Sequence, residues 1–236
     1  MTELLCLTDS YLREFEATIM EVEGNRVVLD RTAFYPQGGG QPSDVGVLLD
    51  DEGQVYRVLK VSKKGGKVFH KVDREPPPAG TRVYGEIDWE HRYRLMRTHT
   101  ALHILCGVIF RDYGASVTGG NMEPLRARMD FELEHMSADF AQEVKEKINR
   151  EVEAGRPVKV SVLPREEAFQ IPDLIRTKIN LLPEGIKEVR VVEIEGLDMQ
   201  ADGGTHVADT KEVGHIRVVG HESKGRINKR LRIALE

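Results

Sequence analysis

The sequence is poor in cysteine and in long apolar runs. Its 236 residues include two cysteines, Cys6 and Cys106, too few for a disulfide framework, and a reducing cytosol suits them. No window approaches the roughly 20 apolar residues needed to cross a bilayer, and the acidic N-terminus lacks the basic and apolar stretches of a signal peptide. We therefore expect a soluble, cytoplasmic protein with no membrane partner.

Several familiar ligand-binding signatures are also missing. The sequence has no Walker motif and no Gly-x-Gly-x-x-Gly, so neither ATP nor a dinucleotide is expected as a ligand. It also has no Cys-x-x-Cys motif, with which zinc ribbons and nucleobase deaminases bind zinc, so the sequence does not indicate either class of protein. The net charge of −5 argues against a histone-like binder, so any nucleic-acid footprint must be local.

The composition is that of a folded chain, with 40% hydrophobic and 31% charged residues, and the length favours two domains. From Phe15 to about Asp88, short strand-like stretches alternate with Gly-rich turns, which predicts a small all-β barrel. The run Pro76-Pro77-Pro78 is a stiff break after these strands. We predict domains at 1–87 and 88–236.

The second half has mixed patterns. Apolar spacing predicts a helix from Trp89 to Phe110 that Gly114 ends, and a second helix with Ser137 as its N-cap and Gly155 past its end. Alternating stretches predict strands within 125–133, 158–170 (with a polar turn at its end), 188–202, 215–223 and 227–236. The predicted fold class is an N-terminal all-β barrel followed by a C-terminal α+β domain, in which helices cover one face of a mainly antiparallel sheet.

Two histidines lie four residues apart inside the first predicted helix, His99 and His103. Residues at this spacing share a helix face about 6 Å apart, so both imidazoles can bind one metal ion. On its own the pair is a weak signal, and histidines that are solvated or hydrogen-bonded in the core are the alternative. Thr100 stands where His-Glu-x-x-His would carry its glutamate, which disfavours a thermolysin-type protease.

A second cluster follows a hundred residues later, Asp202-Gly203-Gly204-Thr205-His206. Its two glycines allow a tight bend that brings the acid and the histidine toward one point, although an ordinary turn is the alternative. Taken with the helical pair, three histidines and a carboxylate fill the four tetrahedral positions of a zinc ion. Cys106 lies about 10 Å along the helix from His99, and we interpret it as a core residue.

Basic residues concentrate in two segments. Segment 91–111 has no acid, and the last 22 residues hold six lysines or arginines against Glu222 and Glu236. The basic residues of the first segment are Arg92, Arg94, Arg97 and Arg111. Such a surface is what a polyanionic substrate requires; solvated faces of a helix and strands are the alternative.

Three motifs together resemble a known family. They are YPQGGGQPSD at 35–44, IDWEHRYRLMRTHTALHIL at 87–105 and ADGGTHV at 201–207. In this order they are similar to the editing region of alanyl-tRNA synthetase and to its freestanding relatives, the AlaX trans-editing proteins. The chain most resembles the medium-length AlaX class, which implies an N-terminal β-barrel and a zinc-binding editing (deacylase) domain.

The resemblance implies one zinc ion held by His99, His103, His206 and the residue four before His206. At that position Asp202 replaces the family's usual cysteine. A carboxylate is an accepted zinc ligand, though harder than a thiolate. Two forms stay open, with Asp202 as the fourth ligand or with three protein ligands and a water.

The resemblance also implies substrate contacts from the Gly-rich motif of the first domain and from the segment TGGNMEP, which resembles a Gly-rich loop of the family that precedes a strand. The candidate substrate-binding residues are Gly38, Gly39, Gly40, Gln41, Thr118 and Asn121. Thr100 and Thr205 each stand beside a proposed ligand, and they are the candidates for orienting water or substrate in catalysis. A helix-interior threonine and a turn threonine are the alternatives.

The implied reaction is hydrolysis of mischarged tRNA(Ala), mainly Ser-tRNA(Ala), with Gly-tRNA(Ala) as a second substrate. A pocket for alanine rejects an added hydroxyl by only about 10²-fold, whereas a site that hydrogen-bonds the hydroxyl can prefer serine by about 10⁴ to 10⁵. Zinc can polarise the ester, activate water or hold the substrate's amino group, and the sequence does not choose among these.

Three other functions stay open from the sequence. They are a non-catalytic tRNA-binding protein, a metal-dependent hydrolase of another ester or amide, and a structural zinc domain. The oligomeric state is open as well, with a monomer as the expectation.

Overall fold

The computed structural model describes residues 2–177 and 185–236. The chain divides into two compact units, Met1–Met96 and Arg97–Glu236. This division falls inside helix α1, Trp89–Tyr113, and the domain boundary after residue 87 stays a prediction. None of the described helices is long and apolar enough to span a lipid bilayer.

The first unit is built on a closed barrel of six strands, in the order β2-β3-β7-β6-β5-β8, so the predicted barrel is confirmed. A short parallel pair, β1 with β4, lies outside it. The strands are β1 Glu3–Leu4, β2 Glu14–Glu23, β3 Arg26–Leu29, β4 Arg31–Thr32, β5 Gly46–Asp50, β6 Val55–Lys64, β7 Lys67–Val72 and β8 Arg82–Ile87.

The barrel interior follows from the alternation of apolar residues along the strands. Side chains of a strand point to opposite faces in turn, and β8 is buried and exposed at strictly alternating positions. Phe15, Phe34 and Leu48 meet in the core. His70 is also buried there, with its Nε2 2.9 Å from Thr32 Oγ1 and its Nδ1 3.3 Å from the carbonyl oxygen of Val27.

The described part of the second unit contains two antiparallel sheets, in the strand orders β14-β15-β10-β9 and β11-β12-β13. The remaining α-helices are α2, Ala138–Glu153, and the one-turn α3, Arg165–Ala168. The strands are β9 Val117–Glu123, β10 Arg126–Phe131, β11 Val158–Pro164, β12 Glu188–Ile194, β13 Asp198–Ala201, β14 Ile216–Gly225 and β15 Asn228–Leu235. The α+β content is confirmed, while the strands form two sheets rather than one.

The helix ends obey the local signals in the sequence. Ser137 Oγ accepts a hydrogen bond from the Phe140 N–H at 3.1 Å, which caps α2 as predicted. Gly114 follows the last residue of α1 and donates its N–H to the Phe110 carbonyl at 2.9 Å. These contacts explain why both helices are where the sequence predicts them.

Three local predictions were wrong. The stretch 188–202 is not one strand, because the chain reverses at Glu195-Gly196 and returns as β13, paired with β12. The segment TGGNMEP is not a loop, since most of it forms β9, which pairs with β10. The polar turn after β11 is helix α3. In each case tertiary pairing or packing outweighs a weak local preference.

Candidate metal centre

Four side chains that could hold a metal ion converge in the second unit. His99 and His103 come from α1, and Asp202 and His206 from the segment after β13; their ligand atoms all lie within 4.8 Å of one another. The Nε2 atoms of His99 and His103 lie 3.5 and 4.0 Å from Asp202 Oδ1, and His206 Nε2 lies 3.0 Å from Asp202 Oδ2. Ligand atoms around a tetrahedral zinc ion are about 3.4 Å apart, so the donor set fits such an ion.

The Nδ1 atoms of two of these histidines are engaged on the other side of the ring. His103 Nδ1 lies 2.9 Å from Asp198 Oδ2, and His206 Nδ1 lies 3.1 Å from Thr100 Oγ1. The Thr100 hydroxyl also accepts from the Val207 N–H at 3.2 Å. Contacts of this kind orient a metal-binding imidazole and leave Nε2 to the ion.

Burial determines the charge of the imidazoles. Burial lowers the pKa of His99 to about 4, against the opposing charge of Asp202. Burial, helped by the neighbouring His99, also holds the pKa of His206 well below its ordinary value. Both rings are therefore neutral at pH 7, and a neutral imidazole is the form that binds a metal.

The pKa values of His103 and Asp202 respond to their partners. Burial opposes protonation of His103, but the hydrogen bond and charge of Asp198 outweigh it and raise the pKa of His103. Burial likewise opposes ionisation of Asp202, but the adjacent imidazoles, His99 first, hold its pKa well below the ordinary value. The site thus presents one carboxylate to three ring nitrogens, a donor set suited to a divalent cation.

The turn around Asp202 is tied to the neighbouring strand. The Gly204 N–H donates to Asp202 Oδ2 at 2.6 Å, and Arg190 Nη1 donates to the Asp202 carbonyl at 2.9 Å. Thr205 is fully buried in this turn, and its role with water or substrate stays a prediction. Cys106 is 1% exposed, so its interpretation as a core residue is confirmed.

Asp198 is the residue that the sequence analysis missed. It opens β13, four residues before Asp202. It approaches His103 only because the chain reverses between β12 and β13, and a pattern of single residues gives no signal of that reversal.

The Gly-rich loop belongs to the first unit. Gly38 and Gln41 pair through two backbone hydrogen bonds, of 2.8 and 3.1 Å. Between them Gly39 and Gly40 have φ values of 56° and 87°, a region that favours glycine. Gln41 is buried. Contact of this loop with a substrate stays a prediction.

Thr118 and Asn121 lie on β9 and are exposed. The Thr118 hydroxyl donates to Asn228 Oδ1 at 3.0 Å. The two candidates are therefore strand residues rather than loop residues, and their contact with a substrate side chain stays a prediction.

Comparison with known proteins agrees with the sequence motifs. The family model "Threonyl and Alanyl tRNA synthetase second additional domain" matches residues 189–232, and "tRNA synthetases class II (A)" matches residues 3–91. The alanyl-tRNA editing protein AlaX-M of Saccharolobus solfataricus is 42% identical to the chain over 98% of both lengths. The chain belongs to the AlaX family.

Other relatives define the extent of the AlaX match. The alanyl-tRNA editing protein AlaX-M of Methanosarcina barkeri is 40% identical over 100% of this chain and 99% of its own. The alanine--tRNA ligase of Pyrobaculum neutrophilum is 39% identical over 92% of this chain but only 25% of its own length. This AlaX chain therefore corresponds to a quarter of that ligase, and the resemblance seen in the motifs is confirmed.

Proposed function

We propose that this AlaX protein deacylates mischarged tRNA(Ala) at a site built around one zinc ion. Ser-tRNA(Ala) is the main substrate and Gly-tRNA(Ala) the second. Membership of a family of alanyl-tRNA editing proteins makes the chain an aminoacyl-tRNA deacylase. The observation that carries the proposal is the convergence of three imidazoles on the carboxylate of Asp202.

The donor set supports zinc as the ion. Zinc accepts imidazole nitrogen and carboxylate oxygen as ligands. When bound, it supplies a Lewis acid for the ester or for water. His99, His103 and His206 would hold it with Nε2, and Asp202 would supply the negative charge.

The remaining candidate residues are proposed to contact different parts of the substrate. Thr118 and Asn121 are proposed to contact the serine side chain, and the loop Gly38–Gln41 to contact the acceptor end, where bare backbone permits close approach. Thr205 is proposed to orient water or substrate. Thr100 is the weaker catalytic candidate, because its hydroxyl is already engaged by His206 and Val207.

Basic residues near the C-terminus are proposed to contribute to binding tRNA(Ala). Four of the six are paired with acids in the folded chain: Arg217 with Glu236, Lys224 with Glu222, Arg230 with Asp130, and Arg232 with Glu222. Arg226 is exposed between β14 and β15. Fewer basic side chains are therefore free of acidic partners, and available to contact RNA, than the six counted in the sequence.

The test is deacylation of Ser-, Gly- and Ala-tRNA(Ala) by the full chain, before and after chelation and after zinc is restored. We expect loss of serine with alanine retained, abolished by chelation and recovered with zinc. His103→Ala should abolish the activity while circular dichroism shows an intact fold. His221→Ala removes an exposed histidine of β14 and should leave the activity unchanged.

Each rival function has its own result in this experiment. Full activity in His103→Ala or in the chelated protein would remove the zinc site from the mechanism. Equal hydrolysis of simple esters that carry no tRNA would indicate a general hydrolase. RNA binding without hydrolysis would indicate a binding protein, and unfolding on chelation would indicate a structural ion.

A further inference from the structure

The carboxylate of Asp198 lies behind His103, on the side of the ring away from Asp202. Its Oδ2 is 2.9 Å from His103 Nδ1 and also accepts from Gln200 Nε2 at 2.7 Å. The side chain is fully buried. Its other oxygen, Oδ1, makes no hydrogen bond within the described residues, and Arg176 Nε lies 3.6 Å from it.

A buried carboxylate is costly to the fold even when it has an ion-pair partner, as Asp198 has in Arg176, because desolvation of both charges opposes the pairing. A residue that served packing alone would be better replaced by an apolar side chain. The charge of Asp198 is therefore best explained by what it does to its partner, His103.

Gly107 makes the approach of Asp198 possible. It lies on α1, one turn after His103. A Cβ atom at this position would lie 2.9 Å from Leu197 Cγ, 3.0 Å from Asp198 Cβ and 3.1 Å from the Leu197 carbonyl oxygen. A side chain here would push the start of β13 away from α1, and Asp198 would lose its contact with His103.

The contact selects one tautomer of His103. A carboxylate only accepts hydrogen bonds, so in the neutral ring the proton sits on Nδ1 and the lone pair of Nε2 faces Asp202. His206 differs, because the Thr100 hydroxyl at its Nδ1 can donate or accept. In His103 the carboxylate at Nδ1 therefore holds the ring in one orientation and leaves the Nε2 lone pair available to an ion.

We propose that Asp198 is a positioning residue, which holds the ring of His103 in the orientation that binds a metal ion. Gly107 is required for this, because a residue without a side chain lets the start of β13 pack directly against α1. The proposal rests on the proposed function, since it assumes a metal ion at the four-residue cluster. It concerns the affinity and geometry of that ion rather than contact with substrate.

The test measures metal binding by the full chain with a chromophoric chelator as competitor. Asp198→Ala and Asp198→Asn are expected to weaken zinc binding about 10- to 100-fold, the range for lost partners of metal-binding histidines. Gly107→Ala should weaken it in the same direction. Asp130→Asn is the matched control, because it removes another mostly buried carboxylate, paired with Arg230, and should leave zinc affinity unchanged.

Two spectroscopic readouts separate positioning from a merely structural role. Long-range proton–nitrogen NMR correlations of the metal-free protein should show His103 with its proton on Nδ1, and Asp198→Ala should populate the other tautomer. The visible spectrum of the cobalt-substituted protein should change in Asp198→Ala and not in Asp130→Asn.

The outcomes are distinct. If the native chain binds no zinc, the proposed function fails. If the native chain binds zinc and deacylates Ser-tRNA(Ala), while the Asp198 variants keep native zinc affinity and cobalt spectrum, only the positioning role of Asp198 fails. If Asp198→Ala does not fold, Asp198→Asn and Gly107→Ala decide by the same measurements.

Discussion

Arg92 of α1 and Asp44, at the end of the Gly-rich segment, form an ion pair with both side chains completely buried. Arg92 Nε lies 2.9 and 3.0 Å from the two carboxylate oxygens, and the guanidinium also donates to the carbonyls of Ser10, at 2.9 Å, and Ala33, at 2.6 Å. Asp44 in turn accepts from the Tyr35 N–H at 2.5 Å. The pair thereby fixes the base of the Gly-rich loop within the first unit.

Removing one partner of this pair should destabilise the first unit strongly. Asp44→Asn keeps the volume but leaves the Arg92 charge buried and uncompensated, which costs about 3–5 kcal/mol. Denaturant unfolding of the full chain measures the loss. Glu90→Gln breaks an exposed pair with Arg94 on the same helix and should cost about 0–1 kcal/mol; similar losses in both variants would contradict the prediction.

Thr100→Val should weaken the metal site without unfolding it. The substitution keeps the shape and removes the hydroxyl that lies at His206 Nδ1 and accepts from Val207. Loss of such a partner lowers metal affinity about 10- to 100-fold. Zinc competition with a chelator is the measurement.

Thr98→Val is the matched control for Thr100→Val. Thr98 is equally buried on the same helix, and its hydroxyl accepts from the Leu125 N–H at 2.8 Å. We expect a loss of stability but native zinc affinity. If the two variants bind zinc equally well, Thr100 does not orient His206.

His70 should make the stability of the chain depend on pH. Burial lowers its pKa from 6.5 to about 4. As the pH falls below 6.5, His70 is therefore protonated in the unfolded chain but stays neutral in the folded chain. The contribution of the neutral His70 ring to the free energy of unfolding is complete above about pH 6.5. It falls by about 3 kcal/mol between pH 6.5 and 4.

The variant His70→Gln isolates this contribution from those of the buried histidines at the metal centre. Its free energy of unfolding should fall less than that of the native chain over the same pH range. Parallel pH profiles of native and variant chains would show that His70 does not titrate as its burial requires.

Asp202→Cys should change the preference of the metal centre. A thiolate is softer than a carboxylate, so binding of cadmium should strengthen relative to zinc, and the cobalt-substituted variant should gain a sulfur-to-cobalt absorption band. Competition titrations provide the ratio. An unchanged ratio with no new band would mean that Asp202 lies beside the ion without binding it.

The features that the sequence predicts well are those that depend on residues close together in the chain. The helical pair His99 and His103 and the Ser137 cap depend on spacing along one helix, and the structure places them as predicted. Asp198 and strand β9 depend on which distant segments pair, and residue patterns carry little information on such pairing. The role of a ligand's partner is therefore harder to predict than the ligand itself.

The four ligand groups of the candidate centre contain no sulfur. A cysteine ligand is open to stepwise oxidation to sulfenic, sulfinic and sulfonic acids, and each step changes the donor that the ion meets. The two thiols of the chain are both buried, and burial raises the pKa of Cys106, so little reactive thiolate forms. We therefore expect peroxide, which would oxidise a thiolate ligand, to leave the nitrogen and oxygen donors of this centre unchanged.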